Sequence, residues 1–176
     1  MEKEFSSQRI EEITGAEGEK TPYQEDLYER EGTREETIQL VIFRLSREWY
    51  GVEITKVKEA IKAGKITYLP SSPGYIAGIV NLRGNILSVT DLKTILGLPH
   101  EEPTEKARIL AIEYGMVNTG FFVDEVVESM EVPKSKITSV LPTIPSEVAK
   151  YIKGQCKMED KLIAIINVER ILEMKA

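Results

Sequence analysis

The strongest constraint on this chain is that its sequence is written twice. "YGVEITKVKEA" aligns with "TGFFVDEVVES", pairing Gly51 with Gly120, Ile54 with Val123, Val57 with Val126 and Glu59 with Glu128 at a constant offset of 69. "KIT" at Lys65–Thr67 recurs at Lys136–Thr138, offset 71, and "YIAG" at Tyr75–Gly78 meets "YIKG" at Tyr151–Gly154, offset 76. The offset stays at 76 through "LSVTDLKTIL" and "IAIINVERIL", so Ile95-Leu96 match Ile171-Leu172. Several short matches in one order, separated only by small insertions, mark a repeated supersecondary unit.

Each half reads as the same series: two strands, a proline-marked loop, one helical turn, a hairpin and a short closing helix. The folded part begins at Thr37, where "TIQLVIFRL" alternates toward a turn at "SREW" and a second strand follows at Tyr50–Ile54. Ser72 is placed as an N-cap with Pro73 at the first helical position and Gly78 at a left-handed exit. "PSEVAKYIKG" is a longer version of that helix, ending at Gly154. Asp91 and Asn167 are the N-caps of the closing helices, and Gly97 followed by Pro99 stops the first. About five short strands per half leave exposed edges, which curling into a small barrel removes.

Composition excludes most chemistry. One cysteine (Cys156) and one histidine (His100) allow no disulfide framework and no Cys/His zinc site, and only His100 could serve a nucleophile. The expectation is no cofactor and no bound metal. No apolar run approaches the roughly 20 residues that cross a bilayer, and "MEKEFSSQRIEEI" lacks the apolar core of a signal peptide, so a cytoplasmic protein without direct membrane insertion is expected. Residues 1–36 hold 12 of the 29 acidic and 5 of the 23 basic residues, a net −7 that leaves +1 for the remainder. That segment reads as a disordered acidic tail, or alternatively as a partner-binding segment around "YQEDLYERE" that becomes helical when bound. No clustered basic face suggests nucleic acid.

In "YIAGIVNLRGNILSVTDL", Val80 and Leu82 share one strand face and Ile79, Asn81 and Arg83 the other, with Gly84-Asn85 as the two-residue hairpin signal. Arg83 therefore sits at a hairpin tip, its aliphatic stem on apolar surface and its guanidinium available. Spacing alone leaves two readings of it open, a recognition residue and an ordinary solvated arginine.

Taken together, "YGVEITKVKEAI", "KITYLPSSPGYIAGIVNLRGNILSVTDL" and "FFVDEVVE…YIKG…LIAIINVERIL" resemble a CheW-family chemotaxis adaptor over roughly residues 38–172. The resemblance implies a mainly β fold of two small five-stranded β-barrels packed together, with short helices and a C-terminal helix. It places residues 37–100 in a first half and 101–176 in a second, with the N-terminal strand and C-terminal helix able to cross between barrels. It implies a cytoplasmic, non-enzymatic scaffold that joins the cytoplasmic tip of methyl-accepting chemoreceptors to the regulatory domain of the histidine kinase CheA. It also implies recruitment to the inner face of the membrane through receptor arrays.

By the same resemblance, Arg83 is the arginine of the family's NLRG hairpin and pairs with Glu59, the glutamate of "KVKE". Val57, which strict alternation puts on the face of Glu59, completes a receptor-binding surface of Val57, Glu59, Asn81 and Arg83. The second barrel meets the kinase, with Phe121, Phe122, Val126 and Val127 as candidate contacts. Ser88, Thr90, Asn118 and Thr119 depart from the family pattern. Two other classes stay open. One is an enzyme using Asp91, Glu113, Asp124 or Glu128 as acid–base groups. The other is a similar scaffold in a different signalling system.

Overall fold

The computed structural model describes residues 34–174. The expected acidic tail, residues 1–36, lies outside the described residues except for its last three. Among the described residues eleven strands form two sheets. The first half supplies β1 (Thr37–Leu45), β2 (Glu48–Glu53), β3 (Val57–Lys62), β4 (Ile76–Leu82), β5 (Asn85–Asp91) and helix α1 (Leu92–Leu96). The second supplies β6 (Arg108–Tyr114), β7 (Val117–Val123), β8 (Glu125–Pro133), β9 (Ile137–Thr138), α2 (Ser146–Ala149), β10 (Ile152–Met158), β11 (Lys161–Ile166) and α3 (Val168–Glu173).

The two repeats exchange their opening hairpins. The first sheet runs β3-β6-β7-β5-β4 and the second β8-β1-β2-β11-β10-β9, so β1-β2 joins the later strands and β6-β7 the earlier ones. Position by position the orders match: β3 with β8, β6 with β1, β7 with β2, β5 with β11 and β4 with β10. Each sheet has one parallel pairing, β5 with β7 and β11 with β2, where one repeat meets the other.

Each sheet curls around its own apolar filling without a ladder that closes it among the described residues. Leu87, Val89, Ile109 and Ala111 fill the first, and Leu40, Ile42, Val132, Cys156, Ile163 and Ile165 the second. A larger core, including Phe43, Tyr50, Phe121 and residues of α1 and α3, lies between the sheets. The outer edges are partly blunted rather than eliminated. Thr67 exchanges two backbone hydrogen bonds with Ile79 of β4, at 2.9 and 2.8 Å, and β9 pairs with β10. This explains the repeated "KIT", which supplies the covering segment in both halves.

The YIAG/YIKG glycines make that cover possible. Gly78 lies inside β4, not at a helix exit, and a Cβ there would stand 2.3 Å from the Thr67 carbonyl oxygen. The helical turn expected at Ser72 is absent. Ser72 donates from its hydroxyl to the Leu69 carbonyl at 2.8 Å, so it closes a turn and caps no helix. Helix α2 stops at Ala149 because buried Ile152 already belongs to β10. The closing-helix caps do form. Asp91 accepts from the backbone N–H groups of Lys93 and Thr94, Asn167 from that of Arg170, and Gly97 closes α1 in the left-handed conformation.

Candidate functional site

Arg83 occupies the tip of the β4–β5 hairpin. Leu82 pairs with Asn85, so the turn residues are Arg83 and Gly84, one position earlier than the Gly84-Asn85 turn expected. Both have positive φ, 52° and 86°, as a type I′ turn requires. The strained arginine is held by Asn81, whose side-chain oxygen accepts from the Gly84 N–H at 2.8 Å. Asn81 thus shapes the tip.

The guanidinium forks onto Glu59, with Nη1 to Oε1 at 3.1 Å and Nη2 to Oε2 at 2.9 Å. Glu59 is on β3 and Arg83 follows β4, and these are the two edge strands of the first sheet. The pair therefore bridges the open seam of the curled sheet. With the Arg83 side chain 76% exposed and that of Glu59 21%, it contributes only about 0–1 kcal/mol to stability. What it fixes is geometry, since a bidentate fork sets both distance and plane.

Val57 does not share the face of Glu59. Val57 pairs with Ile112 and Glu59 with Ala111, so Lys58 is an extra residue in a β-bulge, and neighbouring residues of β6 face opposite ways. Val57 packs half-buried on the central core while Glu59 turns toward the first sheet's mouth. That mouth is a groove of about 180 Å³ lined by Lys58, Glu59, Arg83, Ile86, Leu87 and Asn118, among others.

The four kinase-contact candidates separate. Phe121 is 0% exposed in the central core, so it cannot touch a partner in the folded state. Phe122 is half-buried against the filling of the first sheet. Val126 is half-buried on the central core, and Val127, the bulged residue of edge strand β8, is exposed. Both faces of β7 are covered, and an apolar pattern cannot distinguish such a strand from a docking face.

The carboxylates weighed as acid–base groups are dispersed into structural partnerships. Asp91 caps α1, and burial pushes its pKa up, but hydrogen bonds from His100 (2.7 Å) and Thr94 outweigh this and hold it below the ordinary value. Glu113 pairs with Lys58 at 3.3 Å, Asp124 with buried Lys93 at 2.7 Å, and Glu128 with Lys161 at 3.6 Å. No two converge on one cavity. Three of the four residues that depart from the family pattern do converge: the Thr90 and Thr119 hydroxyls lie 2.8 Å apart in the interior, and Thr119 donates to the Ser88 carbonyl at 3.0 Å. Polar substitutions on β5 and β7 thus satisfy one another.

Among the described residues no helix is long and apolar enough to cross a membrane, and no group of three or more His, Cys, Asp or Glu side chains could hold a metal. A chemotaxis protein CheW of Bacillus subtilis is 31% identical over 78% of this chain and 88% of its own length. One of Helicobacter pylori is 31% identical over 84% and 94% respectively. The crystal structure of the scaffolding protein TtCheW from Thermoanaerobacter tengcongensis superposes with a TM-score of 0.70 at 32% identity, covering 78% of this chain and 88% of that one. The family model of the CheW-like domain matches residues 39–176, and the chain belongs to that family.

Proposed function

We propose that this protein is a non-enzymatic chemotaxis adaptor that couples the cytoplasmic tips of transmembrane chemoreceptors to the regulatory domain of the histidine kinase CheA. In this role it is cytoplasmic and reaches the inner face of the membrane only through the receptors. The observation that carries the reading is the Arg83–Glu59 fork: an exposed guanidinium, oriented by a carboxylate from the opposite edge strand, on a turn held in a left-handed conformation. Backbone strain of this kind needs support from its surroundings and clusters at recognition sites.

The receptor surface comprises Glu59, Asn81 and Arg83, with half-buried Val57 at its margin. The kinase surface is the matching edge of the second sheet, where Val126 and Val127 occupy the repeat positions of Val57 and Lys58. Phe121 supports it from the core, whereas Phe122 packs on the filling of the first sheet and stands apart from it.

The test is an amide NMR titration with a receptor tip fragment and, separately, the CheA regulatory domain from the same organism. The expectation is two non-overlapping sets of shifts, around Arg83 and around Val127. Arg83→Glu should weaken receptor binding at least about tenfold with an unchanged melting temperature, while leaving kinase binding intact. Receptor binding that survives this substitution would sink the assignment of that surface. In the double variant Arg83→Glu/Glu59→Arg, recovered binding means that the pair shapes the surface, and continued loss means that Arg83 touches the receptor directly.

A further inference from the structure

The repeat shows what the groove at the first sheet's mouth is built to receive. Asn118 is the cross-strand partner of Glu113 on the β6–β7 hairpin, and its counterpart at offset 69 is Trp49, cross-strand partner of Arg44 on β1–β2. Both hairpins close through two-residue turns, at Gly115-Met116 and Ser46-Arg47. In the second sheet Trp49 packs against the interior filling, its ring 4.5 Å from the Lys161 ammonium and 5.5 Å from the Arg44 guanidinium carbon. The half-buried indole thus covers that filling with a cation on either hand. In the first sheet the same position holds exposed Asn118, and the space is the groove of about 180 Å³.

The groove keeps the character of a filled site. Its apolar wall includes Leu82, Leu87 and Ile86, the last 74% exposed and standing where the second sheet has Leu162. Lys58 and Arg83 line it as cations, ion-paired with Glu113 and Glu59, which line it too. The volume falls below the roughly 300–1,000 Å³ of small-molecule pockets, so it suits one large side chain. We infer that the groove is the receptacle for a large apolar side chain, an aromatic by preference, carried by the receptor segment that docks beside Arg83. It enters where Trp49 sits in the second sheet, its ring against Lys58 and Arg83. The choice of partner rests on the proposed function, whereas the choice of side chain rests on the repeat.

The experiment uses the full chain and two probes. N-acetyl-tryptophanamide should give saturable shifts in the methyl signals of Leu82, Ile86 and Leu87. The variant Asn118→Trp, which installs the protein's own plug, should keep the melting temperature and abolish those shifts. Absent shifts, or shifts unchanged by the plug, would overturn the receptacle. With the receptor tip fragment, Asn118→Trp should weaken binding about tenfold or more, and Ile86→Asp, which alters only an exposed wall, should do the same if the plug variant folds poorly. If Arg83→Glu abolishes receptor binding while Asn118→Trp and Ile86→Asp leave it untouched, the receptor surface stands and the receptacle falls. If the probe binds but none of the three substitutions affects the receptor, the receptor reading falls and, with it, the proposed occupant.

Discussion

The two inner hairpins enter their turns alike, leave them differently and carry opposite charge: only the first keeps a positive φ at its second turn residue. Arg83-Gly84 closes β4–β5 and Glu159-Asp160 closes β10–β11, and the first turn residues have φ of 52° and 53°. At the first tip a guanidinium reaches the edge strand's Glu59; at the second the cation has moved past the turn, where Lys161 faces Glu128. The helix clamps invert as well. Lys93 of α1 pairs with Asp124 after β7, whereas Glu169 of α3 pairs with Lys56 after β2, at corresponding places in the two sheets. Register, bulges and caps are what the duplicated fold requires. Charge and side-chain size at the tips are what it leaves free, and there the halves have diverged toward different surfaces.

The largest expected effect tests how alike the halves are where the backbone is tightest. At Gly78 an added Cβ would meet backbone, the Thr67 carbonyl at 2.3 Å, and φ is +149°. At Gly154 the nearest atom is the side-chain Cγ2 of Ile137 at 2.9 Å, which can move, and the backbone carbonyl oxygen met there, that of Thr138, stands at 3.0 Å rather than 2.3 Å. Gly78→Ala should cost about 3 kcal/mol or more and Gly154→Ala about 1–2 kcal/mol in urea unfolding. Equal costs would mean that the first cover strand shifts as freely as the second.

Next comes the contrast between the mouths. Trp49→Asn, which gives the second sheet the residue of the first, should cost about 2–3 kcal/mol, less than a fully buried tryptophan because Trp49 is only half-buried. Its mirror, Asn118→Trp, should be neutral or slightly stabilising. A stability loss for the mirror larger than that for Trp49→Asn would show that the two mouths are not equivalent.

Smaller still is the contrast between the tips. Arg83→Glu and Glu159→Arg should each shift stability by less than about 1 kcal/mol, since both turns are exposed. Only the first should alter receptor binding. Comparable loss of receptor binding in the Glu159 variant would deny the division of surfaces between sheets.

What the sequence disclosed follows the same division. The duplication shows as words repeated in order along the chain; the caps Asp91 and Asn167 and the Gly97 stop depend on neighbours within a few residues and are where local chemistry puts them, while the turn expected at "SREW" closes in two residues, Ser46-Arg47, so that Glu48 and Trp49 already belong to the next strand. Of the hairpin exchange only the crossing of the N-terminal strand was implied, and by the resemblance, because alternation decides which face of a strand is buried and not which strand lies beside it. The bulge at Lys58 reversed the facing of Val57, since one extra residue changes the parity of everything before it. Phe121 read equally well as core or contact because both faces of its strand are apolar. The Trp49–Asn118 difference was visible at offset 69, yet it acquires meaning only when cross-strand pairing shows both residues at a sheet mouth.

The smallest expected effect separates the closing-helix caps. Asp91 caps α1 with a carboxylate and Asn167 caps α3 with an amide, so only the first cap can titrate. Burial opposes ionisation of Asp91, but the hydrogen bonds from His100 and Thr94 prevail and lower its folded-state pKa. A carboxyl bound more weakly by protons in the folded state stabilises the fold above its unfolded pKa of about 3.9, and that contribution disappears as pH falls through the lower folded value. Urea midpoints of the wild type should therefore drop between about pH 5 and pH 2, and Asp91→Asn should flatten part of that drop while keeping an amide cap like that of α3. Asn167→Asp should do the reverse, adding an acid-sensitive contribution that the wild type lacks. If Asp91→Asn leaves the acid limb unchanged, the other carboxylates set it, and the two caps differ in chemistry without differing in consequence.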